Sequence, residues 1–198
     1  MSLDIKERKN ILRAELKARR ALISIEKKAV LDTAICERIA SLPCFCEAES
    51  ILLYSPVKGE IDLSPLAKAA LDMGKRVAYP ICNKDDLSMT FRYVSSLSEL
   101  LPGSYSIPEP PKDATEFSSD TKALCVVPAL AFDTLGFRIG YGKGYYDRFL
   151  KNFDGYTVGA VYSELLSELL PRGYYDMAVD IIITERRIIE TNAKKQQD

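Results

Sequence analysis

Apolar residues in the first part of the chain recur with the spacing of two amphipathic helices. Between residues 3 and 23 they form one stripe among many lysines and arginines, which predicts a strongly basic amphipathic helix. A second helix is predicted from about Glu26 to Ser41, where Pro43 would stop it. The chain therefore begins with an all-helical stretch.

Short apolar runs predict strands in the rest of the chain. The candidate strands are Ser50–Pro56, Arg76–Ile81, Ser88–Val94, Ala123–Pro128, Thr157–Ser163 and Ala178–Thr184. Helical pieces are predicted between them at Ser64–Met73, Gly144–Lys151 and Leu165–Leu170, and the proline-rich residues 101–120 predict a surface connection.

Strands that alternate with helices are typical of a mainly parallel sheet. The sequence thus predicts an α/β fold in which helices flank both faces of one sheet. The 198 residues fit a single domain spanning the whole chain, with residues 192–198 as a frayed tail.

Composition narrows the classes of partner. The chain is 47% hydrophobic and 28% charged, with a net charge of -1, so it offers no general electrostatic reason to bind nucleic acid. Neither a membrane span of about twenty apolar residues nor a signal peptide is recognisable. We expect a cytoplasmic protein, a monomer or weak homo-oligomer, that acts on a small molecule.

The absence of histidine limits the chemistry. It excludes a Ser-His-Asp triad, a Cys-His pair and any histidine-ligated zinc. The five cysteines show no CxxC spacing and are interpreted as packing residues in a reducing compartment. Catalysis must then rest on carboxylates, lysines, arginines and tyrosines, with a hard metal ion as a further candidate.

The segment FRIGYGKGYYDRFL, residues Phe137–Leu150, is the strongest candidate for a ligand site. It follows a predicted strand, and ligands of parallel sheets bind beyond the carboxyl ends of the strands. Lys143 supplies a point charge and Arg138 a planar fork for phosphate oxygens. Positive φ angles and close backbone approach to an anion are available to three residues, Gly140, Gly142 and Gly144.

The glycine spacing matches no standard phosphate loop. Gly144 follows Lys143 where a Walker A sequence requires Ser or Thr, and the spacing is GxGxG rather than GxGxxG. A tight turn with a solvated lysine is the alternative interpretation.

Three further constellations complete the candidate site. Asp147 is a candidate magnesium ligand or a complement to the helix dipole, and Asp180 a second candidate ligand or a strand-end hydrogen-bond acceptor. Lys9 and Arg13, four residues apart on one helix face, could clamp a polyphosphate, although such basic runs are usually solvated. Glu60, at a strand end, could accept hydrogen bonds from a heterocycle or amide.

Several segments together resemble the 5-formyltetrahydrofolate cyclo-ligase family, also called methenyltetrahydrofolate synthetases. They are, in the family's order, KNILRAELKARR, YSPVKGEID, IPEP, VPALAFDTLGFRIGYGKGYYDRFL and MAVDIIIT. The long fourth segment is the specific signature. The family's fold is related to sugar-phosphate isomerases and CoA transferases, which agrees with the strand–helix alternation.

The resemblance implies an ATP- and Mg²⁺-dependent carbon–nitrogen ligase that converts 5-formyltetrahydrofolate to 5,10-methenyltetrahydrofolate and releases ADP and phosphate. Lys143 and Arg138 would be catalytic, and Asp147 and Asp180 would hold the metal. The residues implied for the folate are Ser55, Glu60 and Tyr146. Those implied for ATP are Lys9, Asn10, Arg13, Arg138, Gly140, Gly142, Lys143, Gly144, Tyr145 and Tyr146.

One position departs from the family pattern. Tyr141 occupies a position that is Arg in some members, so phosphate contacts would be weaker here unless Arg138 compensates. An ATP-independent isomerase or CoA transferase on the same fold is one alternative, against which the Lys9 and Arg13 pair argues. A noncatalytic nucleotide- or folate-binding protein is another.

Overall fold

A computed structural model describes residues 4–119 and 121–191 of the chain. Its α-helices are α1 Ile5–Ala21, α2 Ile25–Ala40, α3 Pro43–Glu47, α4 Ser64–Asp72 and α5 Tyr145–Leu150. Its strands are β1 Ser50–Leu52, β2 Arg76–Cys82, β3 Met89–Val94, β4 Leu101–Pro102, β5 Pro108–Glu109, β6 Ala123–Val127, β7 Ala131–Asp133, β8 Arg138–Ile139, β9 Tyr156–Ala160, β10 Leu166–Ser167, β11 Ile181–Ile183 and β12 Ile188–Glu190.

The predicted α/β architecture is confirmed. Seven strands form one sheet in the order β12-β11-β9-β6-β1-β2-β3, flanked by helices. The five strands from β11 to β2 are parallel, whereas β12 and β3 are antiparallel edge strands. All residues of β1 and β6 are buried, as the apolar character of ALCVV in β6 and of the residues after Ser50 in β1 indicates.

Local signals account for several element boundaries. A capping box between Asp4 and Glu7 begins the basic helix α1. Gly74, with a φ of +73°, lies just beyond α4 as the sequence predicts. In the described part of the chain, no helix combines the length and the apolar character needed to cross a membrane.

The helix α2 ends at Ala40, close to the predicted Ser41, but other local elements were missed or differ from the prediction. Pro43 occupies the first turn of the additional helix α3, because a proline there forfeits no intrahelical hydrogen bond. The stretch Leu165–Leu170, predicted as helical, is a 3-10 turn at Ser163–Leu165 followed by β10. The hairpin β4–β5 lies within the predicted surface connection, and β12 was missed. The predicted frayed tail, residues 192–198, lies outside the described residues.

A hairpin separates β6 from the glycine-rich loop. Strands β7 and β8 are antiparallel and form a small second sheet with β10. Asp133 fixes the turn of this hairpin, since its fully buried carboxylate accepts hydrogen bonds from the backbone N–H groups of Leu135, Phe137 and Leu170. Arg138 therefore lies in a strand, and the glycine-rich loop begins immediately after it.

Candidate active site

A cavity of about 390 Å³ opens at the carboxyl ends of the parallel strands. Its walls come from the start of α1, the chain after β1, the end of β2, residues 104–109 and the segment from β8 to α5. It brings together twelve of the predicted site residues: Lys9, Arg13, Ser55, Glu60, Arg138, Gly140, Gly142, Lys143, Gly144, Tyr145, Tyr146 and Asp147.

The glycine-rich loop has the conformation that its sequence allows. Gly142 and Gly144 adopt positive φ angles of +93° and +71°, whereas Gly140 does not. A Cβ atom on Gly142 would lie 3.1 Å from Cζ of Arg13, so glycine also permits the close approach of α1. The carbonyl of Gly140 accepts a hydrogen bond from Nε of Arg13 at 2.8 Å.

Two basic residues of α1, Lys9 and Arg13, line the cavity, and both already have partners within the protein. Lys9 forms an ion pair with Asp176, which also lines the cavity. Arg13 receives support from Asn10, whose Oδ1 accepts from Nη1 at 2.6 Å. Asn10 itself does not line the cavity, and it contacts the site through this hydrogen bond to Arg13.

Lys143 is the exposed cation of the loop. Its carbonyl accepts a hydrogen bond from Nη2 of Arg148 at 2.8 Å, which fixes the backbone next to it. Within residues 4–119 and 121–191, Nζ of Lys143 has no hydrogen bond or ion pair. This amine is therefore available to an anion in the cavity.

Asp147 and Arg138 are joined in the wall of the cavity. Oδ1 of Asp147 accepts from Nη2 of Arg138 at 2.8 Å and from the backbone N–H of Met177 at 3.1 Å. Nη1 of Arg138 donates to the carbonyl of Met177 at 2.8 Å. The guanidinium is thus committed to holding Asp147, and Oδ2 of Asp147 is the oxygen that remains for another ligand.

Asp180 is not brought into the cavity. It precedes β11 at the amino end of that strand, and its Oδ2 accepts from the backbone N–H and the hydroxyl of Thr157 at 2.9 and 2.8 Å. These contacts match the strand-end hydrogen bonding that was its alternative interpretation. The structure thus offers no common metal site for Asp180 and Asp147.

Glu60 is a buried carboxylate facing the cavity, with 6% of its surface exposed. Its Oε2 accepts from the backbone N–H of Val57 at 2.9 Å. Burial raises the pKa of Glu60, while the Val57 hydrogen bond and the positive charge of Arg20 act in the opposite direction. Nearby, the hydroxyl of Ser55 donates to the carbonyl of Pro108 at 2.6 Å and ties β5 to this wall.

The two tyrosines that begin α5 differ in their contacts. The hydroxyl of Tyr145 lies 3.2 Å from that of Tyr105 and donates to the carbonyl of Asn83 at 3.3 Å. The hydroxyl of Tyr146 is buried and has no hydrogen-bond partner among the described residues. A buried hydroxyl without a partner costs about 1–3 kcal/mol, so a polar ligand atom at Tyr146 would offset that cost.

Sequence reasoning missed several residues of the cavity. Asp176, Tyr105 and Glu109 line it. Glu109 lies in the IPEP segment that contributes to the family resemblance, whereas nothing in the sequence context of Asp176 or Tyr105 indicates a site. Arg20 belongs to the basic run of α1, and such runs are usually solvated, but its side chain is only 7% exposed. Its position seven residues after Arg13, two helical turns along the same face of α1, was the available signal.

Comparison with known proteins identifies the family. Residues 5–185 match the model of the 5-formyltetrahydrofolate cyclo-ligase family. The chain belongs to this family.

Individual members agree with that assignment. The probable 5-formyltetrahydrofolate cyclo-ligase of Caenorhabditis elegans is 31% identical over 93% of this chain and 96% of its own length. The Escherichia coli K12 cyclo-ligase is 27% identical over 88% and 99%. The solved 5,10-methenyltetrahydrofolate synthetase of Aquifex aeolicus superposes with a TM-score of 0.82 at 34% identity, covering 93% of each chain. The prediction of a ligase of folate metabolism is confirmed.

Tyr141, the residue that departs from the family pattern, lies beside cations of α1. Tyr141 faces the basic helix, with Nζ of Lys17 5.4 Å and Cζ of Arg20 5.8 Å from its ring centroid. Arg138, the residue that could have compensated for Tyr141, is bonded to Asp147 and Met177. The cation beside Tyr141 is therefore supplied by α1.

Proposed function

We propose that the protein uses ATP and Mg²⁺ to cyclise 5-formyltetrahydrofolate to 5,10-methenyltetrahydrofolate, with ADP and phosphate as the other products. One observation carries this proposal. A single cavity combines cations from α1 and the glycine-rich loop with a buried carboxylate and an unpaired buried hydroxyl, those of Glu60 and Tyr146. The first set suits a polyphosphate and the second suits a polar heterocycle.

The reaction needs activation of a poor electrophile. The formyl oxygen attacks the γ-phosphorus of ATP, the bond to the bridging oxygen breaks, and ADP leaves with that electron pair. N10 of the folate then attacks the formyl carbon, the carbon–oxygen bond breaks, and phosphate leaves with the former formyl oxygen. Loss of the N10 proton gives the methenyl product. Such a sequence requires no histidine, because the substrate and the phosphate carry the bond changes.

The phosphate side of the cavity has a defined set of donors. Arg13, held by Asn10 and by the carbonyl of Gly140, is oriented before any ligand binds. We assign Arg13 and Lys9 to the non-transferred phosphates and the free Nζ of Lys143 to the transferred phosphoryl group. Positioning of this kind supplies most of the catalysis in phosphoryl transfer.

Asp147 fits a magnesium ion, because it lines a cavity that would hold phosphate oxygens and both of its hydrogen bonds use Oδ1, which leaves Oδ2 for a metal. Mg²⁺ commonly takes one or two carboxylates with phosphates. The ion would neutralise charge on the phosphates. Arg138 holds the Asp147 carboxylate in place through Oδ1. Asp180 is left out of this set because it lies outside the cavity.

The folate side is formed by Ser55, Glu60 and Tyr146. Glu60 can accept two hydrogen bonds from the amide and amine donors of a reduced pterin, while Tyr146 supplies one hydroxyl to a polar atom. All three line the same cavity as Lys143, so a folate bound there would have its formyl group within reach of the transferred phosphoryl group.

The direct test is the formation of methenyltetrahydrofolate, followed by its near-ultraviolet absorbance. Purified protein with 5-formyltetrahydrofolate, ATP and Mg²⁺ should develop this absorbance and release one ADP for each product molecule. Reactions without ATP, or with a nonhydrolysable ATP analogue, serve as controls and should stay at baseline. A failure to form product under conditions in which both ligands bind would overturn the proposed function.

A further inference from the structure

Arg20 is a buried cation behind the folate side of the cavity. Together with Lys9 and Arg13 it lies on one face of α1, but its side chain reaches inward and is only 7% exposed. Its guanidinium donates to the hydroxyl of Tyr141 and, at 3.4 Å, to the carbonyls of Lys58 and Ala129. A buried charge is costly unless it is compensated, and none of these three acceptors is ionised in its ordinary state.

Arg20 contacts two functional loops at once. In the loop that carries Glu60, Gly59 has a φ of +83°, and a Cβ atom there would lie 3.2 Å from Nε of Arg20. In the glycine-rich loop, Tyr141 accepts from Nη2 of the same guanidinium. One side chain of α1 thus joins the loop assigned to folate with the loop assigned to phosphate.

Glu60 is the carboxylate next to these contacts of Arg20. The cations that act electrostatically on it are Arg20 from α1 and Lys28 from α2, and the nearby hydroxyl of Tyr141 also lowers the pKa of Glu60. The other titratable groups that act electrostatically on Glu60 are the hydroxyls of Tyr54 and Tyr146. The set contains two positive charges and three phenols.

We propose that Arg20 and Tyr141 are positioning residues that hold the loop of Glu60 against the glycine-rich loop and thereby keep the Glu60 carboxylate aimed at the folate. The inference rests on the proposed function for the identity of the ligand. It gives Tyr141 a function at the position where some family members have Arg. A second guanidinium there would face Arg20, whereas a tyrosine oxygen accepts from it.

The test compares Tyr141→Phe and Arg20→Gln with Arg19→Gln. Arg19 is the matched control, because it is the next residue of the same helix and carries the same charge, but it is exposed and bonds the carbonyl of Glu164. We expect Tyr141→Phe and Arg20→Gln each to raise the KM and the Kd for 5-formyltetrahydrofolate about tenfold while kcat stays within about threefold. Arg19→Gln should match the unaltered protein.

Two further readouts separate positioning from general structural damage. The acidic limb of the pH profile of kcat/KM for the folate should move to higher pH in both variants, because each change removes a group that favours ionised Glu60. Adding Tyr141→Phe or Arg20→Gln to Glu60→Gln should cause little further loss, since the group being positioned is already gone.

The outcomes distinguish this inference from the proposed function. Absence of methenyl product from the unaltered protein would overturn the proposed function. Calorimetric Kd values for 5-formyltetrahydrofolate would still test whether Arg20 and Tyr141 position Glu60. Folate Kd values equal to that of Arg19→Gln, or losses fully additive with Glu60→Gln, would overturn the positioning function. Tyr141→Phe removes only one hydroxyl from a residue that is 42% exposed, so it decides the matter even if Arg20→Gln fails to fold.

Discussion

Replacing Lys143 with alanine should lower kcat by ~10²-fold or more while leaving the protein folded, because the amine would stabilise charge that develops on the phosphoryl group during transfer. Lys143 is exposed, and its Nζ makes no contact among the described residues whose loss would weaken the fold. Its effect should therefore fall on turnover. The measurement is steady-state kinetics with saturating ATP and 5-formyltetrahydrofolate, accompanied by thermal unfolding.

Lys151→Ala is the matched control for this variant. Lys151 is an exposed lysine just after α5, at the opposite end of that helix from the loop that carries Lys143, and it does not line the cavity. It should retain full turnover. If Lys143→Ala had the kinetics of Lys151→Ala, Lys143 would have no part in the mechanism.

Replacing Glu60 with glutamine should weaken folate binding by about 10- to 100-fold, because hydrogen bonds to a charged acceptor contribute about 1.5–3 kcal/mol. Glutamine retains an oxygen that can accept from Val57, so the loop should keep its shape. The loss should appear in the KM and Kd for 5-formyltetrahydrofolate and much less in the KM for ATP. A folate affinity equal to that of the unaltered protein would remove Glu60 from the binding site.

The raised pKa of Glu60 also predicts how kcat/KM for the folate depends on pH. Burial raises the pKa of Glu60, so the ionised acceptor is lost as the pH falls through that raised pKa, and kcat/KM for the folate should fall with it. Glu60→Gln should lack this limb. Since the folded state favours the protonated carboxyl, the stability that Glu60 contributes declines as the pH rises, and the variant should be at least as stable at neutral pH.

Glu99→Gln is the control for Glu60→Gln. Glu99 also accepts from a nearby backbone N–H, that of Ser95 at 3.2 Å, but it lies outside the cavity. We expect its folate affinity and pH profile to be unchanged.

The pattern of apolar residues predicted the main sheet well, because strands that are buried in a parallel sheet must have apolar sequences. The apolar runs that became β1 and β6 are buried on both faces, and such runs have few alternatives in a parallel sheet. The hairpin β7–β8 was missed because its turn depends on the Asp133 carboxylate, whose partners include Leu170, thirty-seven residues further along the chain. Local sequence does not reveal such a long-range contact.

In the candidate site, too, features that depend on local sequence were predictable and features that depend on long-range contacts were not. The glycine-rich loop and the Lys9 and Arg13 pair were predictable, since glycine spacing and helical spacing are local properties. The ion pair of Lys9 with Asp176 joins residues 167 positions apart, and the position of Asp180 depends on its hydrogen bonds to Thr157 on a neighbouring strand. The contacts of Arg20 were not predictable for a similar reason. Helical spacing places Arg20 on the same face of α1 as Arg13, but its contacts with Gly59 and Tyr141 depend on the folded positions of two distant loops.

The central claim is that ATP activates the formyl oxygen of the folate, and the path of that oxygen tests it most directly. The substrate would be 5-formyltetrahydrofolate labelled with ¹⁸O in the formyl group, and the released phosphate would be analysed by mass spectrometry after a single turnover. The account predicts one ¹⁸O atom in the inorganic phosphate for each methenyl product. Unlabelled phosphate, with the label in water, would contradict it.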